Sequence, residues 1–392
     1  MPIRSQAERA VPRARDIGLI PGILAPGPEN AITDVAGVTV GHVTLIEGET
    51  IRTGMTAIRP HPGNVFQSRV PAGFAAGNGY GKFAGATQIE ELGEIETPIV
   101  LTNTLSVGEA VAGLVEWTLA QPGNRRVRSV NAVVGETNDG VLNDIRARRL
   151  RPAHVAAALA DARAGAVAEG AIGAGTGTQT FGWKGGIGTA SRRLPRQLGG
   201  WMLGALVQTN YGGVLSMAGI PVGRLLGRHA LREEIAADTA ADGSVVIVLA
   251  TDAPLSDRNL TRLARRAFVG IARTGSVLAN GSGDYALAFS TAETVRRAAD
   301  APSPRLLADL ANEAMTPLFH AAAEATEEAV YNAMLQATTM AGDRGHVLEA
   351  IDHAALAAIL ARYGAGPPSR NDQGGRNDQG GGSDQAGGTG RG

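Results

Sequence analysis

The sequence predicts an α/β sandwich, with stacked sheets inside and helices outside. Three observations carry that expectation. Strand-like and helix-like segments alternate along the chain with no low-complexity linker between them. Val245–Ala250 is uninterruptedly apolar, the pattern of a central strand covered on both faces. Fifty-four glycines beside 4% aromatic residues call for packing by small side chains at close backbone approach, which suits dense sheet and helix layers.

Residues 1–15 read as a flexible, polar and Arg-rich lead-in without an apolar signal segment. Strand segments follow at Val38–Leu45, Pro98–Thr102, Val130–Val134, Trp201–Thr209, Val245–Ala250 and Tyr285–Ser290. Ser106-x-x-Glu109 reads as a capping box opening a helix to Ala120, with Val107, Val111, Leu114, Val115 and Thr118 on one face. Pro152 suits the first turn of a helix through Val155 and Leu159. Ser256 or Asp257 caps a helix carrying Leu260, Leu263, Ala264, Ala267, Phe268 and Ile271, which Gly275 stops. Thr316 and Pro317 interrupt a longer helical pattern, and a further helix runs through Phe319, Ala322, Ala329, Val330 and Met334. From Pro367 to Gly392 the chain is low-complexity, repeating Arg-Asn-Asp-Gln-Gly-Gly at 370–375 and 376–381, and is expected to be a disordered tail. The organisation is therefore one domain over 16–366.

Charge and composition narrow the function. The formal net charge is −1, which provides no basic field for nucleic acid and no cationic face for a membrane. No cysteine is present, which removes disulfides, thiolate metal sites and a cysteine nucleophile. The seven histidines show no short ligand spacing and read as structural or surface residues, so neither a metal nor a cofactor is expected. No run approaches the roughly 18 apolar residues of a spanning helix, and a cytoplasmic location is the expectation.

Most chemical signatures are missing, among them G-x-S-x-G and the phosphate-binding G-x-x-x-x-G-K-[ST]. Gly79-x-Gly81-x-x-Ala84 imitates part of a dinucleotide fingerprint but lacks a leading strand and a βαβ unit. Gly173-Ala-Gly175-Thr-Gly177 reads as a tight turn beside a close-packed strand. Gly243-Ser244, at the mouth of the buried strand, admits two readings. It is a turn into that strand, or it is the cleavage site of an N-terminal-nucleophile enzyme, whose freed serine amine would act as base without a histidine. The reference pKa of an α-amine, about 7.7 to 8.0, suits that task.

Several stretches, in order from about Asp16 to Tyr363, resemble the DmpA-type L-aminopeptidase/D-esterase and β-peptidyl aminopeptidase family. They are the segment 31–42, Gly135-Glu136-Thr137-Asn138-Asp139 with Leu142-Asn143-Asp144, Lys184–Thr189, Val207–Asn210, Gly243-Ser244 with Ala250–Pro254, and Ser282-Gly283-Asp284 with Ala288–Thr291. The resemblance implies a four-layer αββα sandwich like that of N-terminal-nucleophile hydrolases. It also implies self-cleavage before Ser244 into chains 1–243 and 244–392 that stay together and assemble as homo-oligomers of αβ units. It further assigns roles. Ser244 matches the nucleophile, Asn210 an oxyanion-hole amide, Ser282 a residue bonding near the nucleophile and its amine, Glu136 the carboxylate facing a substrate ammonium, and Asp284 a second acidic position that is often Glu in the family. Asn138 stands where some members carry an aromatic residue. The implied substrates are small peptides, amides or esters with a free amino terminus, and the N-terminal residue removed is β-, L- or D-amino acyl. Ornithine acetyltransferases share a similar architecture, but their nucleophile is threonine, so Ser244 argues against that acyltransferase alternative. A further alternative is an uncleaved, non-catalytic binding protein.

Overall fold

Residues 244–251 form a strand whose every side chain is buried, as the continuous apolar run predicts. A computed structural model describes residues 11–231, 243–300 and 306–365. The longer strands of its two main sheets are β1 (Thr39–Glu47), β2 (Ile51–Arg59), β3 (Ser68–Gly79), β4 (Ile99–Asn103), β5 (Val133–Thr137), β6 (Ile187–Arg193), β7 (Met202–Asn210), β8 (Ser244–Thr251) and β9 (Gly283–Ser290). The smaller sheet has the order β1-β2-β4-β5, and the larger has β3-β9-β8-β7-β6 as its body.

Alternation along β8 explains the layering. Val246, Val248 and Ala250 face the smaller sheet and pack with Ile58, Leu101 and Val133. Val245, Ile247 and Leu249 face the opposite way, onto the helices α3 (Asp257–Arg273) and α4 (Thr316–Leu335). On the far side of the smaller sheet, Met55, Val100 and Val134 pack against α1 (Val107–Leu119) and α2 (Pro152–Asp161). The result is a four-layer αββα sandwich, the expected fold class.

Small residues make the layers close. A Cβ on Gly188 of β6 would stand 1.9 Å from the Ala329 carbonyl of α4, so only glycine lets that helix lie so near the sheet. Helix α4 also carries buried charge: Glu324 and Glu328 pair with the fully buried Arg192 of β6 at 3.0 and 2.8 Å. Breaking one partner of such a buried pair typically costs about 3–5 kcal/mol, because it strands the other charge.

Several expectations change. The strand expected at Val130–Val134 lies three residues later and runs through Glu136 to Thr137. Strands β2, β3 and β6 were not foreseen. Ser106 precedes α1 but makes no side-chain cap, and Glu109 pairs with Arg148 instead, so the capping box is absent. The lead-in expected over 1–15 is partly structured: Arg13 is buried, bonded to the Asn30 and Thr189 carbonyls and paired with Glu169 at 2.7 Å, and Ala14 is fully buried. The expected tail at 367–392, like residues 1–10, lies outside the described residues.

Candidate active site

Ser244 is the first residue of β8, and both neighbouring strands meet it there. Asn210, the last residue of β7, is its antiparallel register partner, and Gly283, the first of β9, is its parallel partner. The Ser244 hydroxyl donates to the Gly243 carbonyl at 2.7 Å and accepts from the Gly283 amide at 3.2 Å. Ser244 therefore opens the strand directly after Gly243. It places Oγ against the carbonyl of the preceding peptide.

Over these strand ends opens a cavity of ≈ 1090 Å³ whose wall includes Gly243, Ser244, Asn210, Gln179, Glu136 and Lys82. The Asn210 side-chain oxygen accepts from the Gln179 amide at 3.0 Å. With Oδ1 so engaged, the Nδ2 group is the end left to donate.

Glu136 is the fourth residue of β5 and is buried. Its Oε1 accepts from the Lys82 amide at 2.9 Å and lies 3.4 Å from the Lys82 ammonium, which also donates to Thr104 at 2.6 Å. The approach needs Gly81, where a Cβ would sit 2.9 Å from the carboxylate oxygen. The glycine pattern at 79–84 thus has a use unrelated to a dinucleotide: it leads β3 to the cavity wall.

The loop carrying Asn138 beyond β5 is held by Asp139. This buried carboxylate accepts from Thr53 at 2.5 Å, Asn143 at 3.0 Å and Asn103 at 3.3 Å. Burial pushes Asp139 up to about 6, and these three donors hold it back from rising further. Asn138 itself lines the cavity and accepts from the Gly140 amide at 2.9 Å.

Ser282 and Asp284 flank Gly283 under this wall. The Ser282 hydroxyl donates to Asp284 Oδ1 at 2.6 Å, and the Asp284 side chain is buried. Burial raises the Asp284 carboxyl to about 6, with the Ser282 hydroxyl opposing the rise. Ser282 is therefore engaged with Asp284 rather than with Ser244, whose oxygen meets the Gly283 main chain. The structure thus brings Ser244, Gly243, Asn210 and Glu136 to one cavity and sets Ser282 with Asp284 beside it.

Lys82, Gln179 and Asn78 were not singled out from the sequence. Asn78 ties down the turn before β9, its amide donating to the carbonyls of Ala279 at 3.0 Å and Ser282 at 2.5 Å. Only the glycines next to Lys82 hinted at a wall there. His229, expected to be structural or superficial, lines the cavity with Nδ1 2.8 Å from the Ala230 carbonyl. His42 fits the expectation: it bonds Thr56 at 3.0 Å, and burial pushes it down to about 4. Among the described residues, no three His, Asp or Glu side chains gather as metal ligands, and no helix is long and apolar enough to cross a membrane.

A serine opening a central strand, with two sheets enclosed by helices, is the arrangement that the sequence resemblance implies. The comparisons agree. The model of peptidase family S58 matches residues 30–348. The β-peptidyl aminopeptidase BapA of Sphingosinicella microcystinivorans is 41% identical over 90% of this chain and 92% of its own. A β-aminopeptidase from Burkholderia sp. superposes with a TM-score of 0.82 at 42% identity, covering 90% of this chain and 99% of that one. The L-aminopeptidase D-Ala-esterase/amidase of Ochrobactrum anthropi, described as a prototype for the serine aminopeptidases and a new variant among the Ntn hydrolase fold, gives 0.82 at 40% identity over the same shares. The chain belongs to peptidase family S58 and is an aminopeptidase of the N-terminal-nucleophile type.

Proposed function

We propose that this chain cuts itself between Gly243 and Ser244 and then uses Ser244 to remove N-terminal residues from small peptides, amides or esters. The observation that carries the reading is the place of Ser244 at the start of β8, its hydroxyl 2.7 Å from the Gly243 carbonyl oxygen and Asn210 directly across. In self-cleavage Oγ attacks the Gly243 carbonyl carbon. The bond to the Ser244 nitrogen breaks, that nitrogen takes up the proton, and water hydrolyses the resulting ester to leave a free amine and the Gly243 carboxylate.

Turnover repeats the chemistry on a bound substrate. The Ser244 amine takes the Oγ proton as Oγ attacks the scissile carbonyl, and the Asn210 Nδ2 group meets the oxyanion that forms. The ammonium then gives its proton to the leaving group. Water, deprotonated by the same amine, attacks the acyl-enzyme and releases the product acid. The Glu136 carboxylate replaces the hydration that a substrate ammonium loses on entry, so the substrate enters with a free amino terminus, be its first residue β-, L- or D-amino acyl. The family likeness further supports assembly into oligomers of αβ units.

The test is the mass of the purified protein. Chains of 243 and 149 residues, the shorter beginning at Ser244, are expected under denaturing conditions. A single 392-residue mass from protein active on β-alanyl, L-alanyl or D-alanyl amides would overturn the reading.

A further inference from the structure

The Lys184–Thr189 stretch is absorbed by none of the chemistry above, although Lys184 is fully buried. Its ammonium has three hydrogens and meets three main-chain acceptors: Gly185 O at 2.7 Å, Gly175 O at 2.9 Å and Thr178 O at 3.0 Å. The third of these matters most. The Thr178 carbonyl and the Gln179 amide belong to one peptide unit, and in a trans peptide they point in opposite directions. That same Gln179 amide is the donor to Asn210 Oδ1 at 3.0 Å.

A continuous chain therefore runs from the Lys184 ammonium through one peptide plane to the side chain facing Ser244. Each bond polarises the next, since drawing density toward the carbonyl oxygen makes the amide hydrogen a better donor. Fixing the plane also fixes which end of the Asn210 amide turns toward the strand end. Were the plane to rotate, a carbonyl oxygen rather than an amide would face Asn210, and the side chain would lose its reason to keep Nδ2 free.

We propose that Lys184 is a positioning residue for the oxyanion hole, setting the Asn210 amide through the Thr178–Gln179 peptide without itself reaching the substrate. The inference rests on the assignment of Asn210 as an oxyanion donor. Turnover is measured per processed chain, counted by intact mass, for Lys184→Met in the wild-type and Asn210→Ala backgrounds, with thermal melting of every variant. In the wild-type background kcat should fall roughly tenfold to a hundredfold with KM within about twofold, below the full loss of an oxyanion donor. In the Asn210→Ala background the same substitution should change kcat by less than about twofold, because the path it acts through is gone.

Lys184→Gln retains two amide hydrogens and should recover part of kcat. An equal loss of kcat in both backgrounds, or a loss carried by KM, overturns the proposal. So does failure of both Lys184 variants to give folded, processed protein, since that assigns the ammonium to the fold. Unchanged turnover in Asn210→Ala would instead remove the reading on which the inference stands, whereas equal Lys184 factors in the two backgrounds would leave that reading intact.

Discussion

Asn210 and Ser244 are register partners at the cavity end of two antiparallel strands, the last residue of one opposite the first of the other. The pairing holds an amide donor and a hydroxyl at a separation set by the sheet rather than by loops. Asn210→Ala should accordingly leave the fold intact while lowering kcat by about a hundredfold to a thousandfold, the usual effect of losing one oxyanion donor. Steady-state kinetics with a β-alanyl amide measure it, and unchanged kcat would remove Asn210 from the chemistry.

Ser244→Ala removes the oxygen on which both processing and turnover depend. The expected product is a folded, single-chain, inactive protein of 392 residues, identified by mass and by a melting transition. Normal processing of this variant would place the nucleophile elsewhere.

Glu136 is buried and, among the described residues, has the half-exposed Lys82 as its one cationic partner. Glu136→Gln should weaken kcat/KM for free-amine substrates by about 2 to 5 kcal/mol, roughly 30-fold or more, and should matter far less for N-acetylated analogues, which bring no charge. Comparing both substrates in wild type and variant gives a double-mutant cycle. Equal losses would show that Glu136 does not receive the ammonium.

Asp284 offers a prediction on pH. Its carboxyl is raised to about 6 by burial, so the folded chain holds this proton more tightly than the unfolded one. The stability it contributes is complete below the ordinary carboxylate range near 4 and is lost as pH rises through 6. In the Ser244→Ala background, where no α-amine is freed, the melting temperature of the Asp284→Asn variant should therefore climb relative to the parent's as pH rises from 4 to 7. A difference between the two proteins that stays constant over this range would mean that Asp284 does not titrate there.

The apolar run before Ala250 announced β8 and both of its covered faces, since nothing but burial on two sides explains six consecutive apolar residues. Strand β5 was misplaced for the opposite reason. Its last three residues, Gly135, Glu136 and Thr137, are buried at the site and carry no apolar period. Strand β3, with Pro71, Gly73 and Gly77 among its residues, lacks the alternation that marks a strand, because its small residues admit α3 against it. Local sequence offered Ser244 as one of two readings, whereas the roles proposed for Asn210 and Glu136 come only through family resemblance. Lys82, Gln179 and Lys184 act through main-chain atoms or across the fold, where spacing along the chain carries no signal.

Strand β8 has one more implication, for the nature of the chain end that processing would create. A new terminus ordinarily frays, since its first residues lack partners. Here the terminal residue would already be clasped between two strands at the cavity wall, so its amine and hydroxyl would emerge in fixed relation to each other. The most restless part of a polypeptide would become one of its stillest, and the reactive pair would need no search for each other before each turnover.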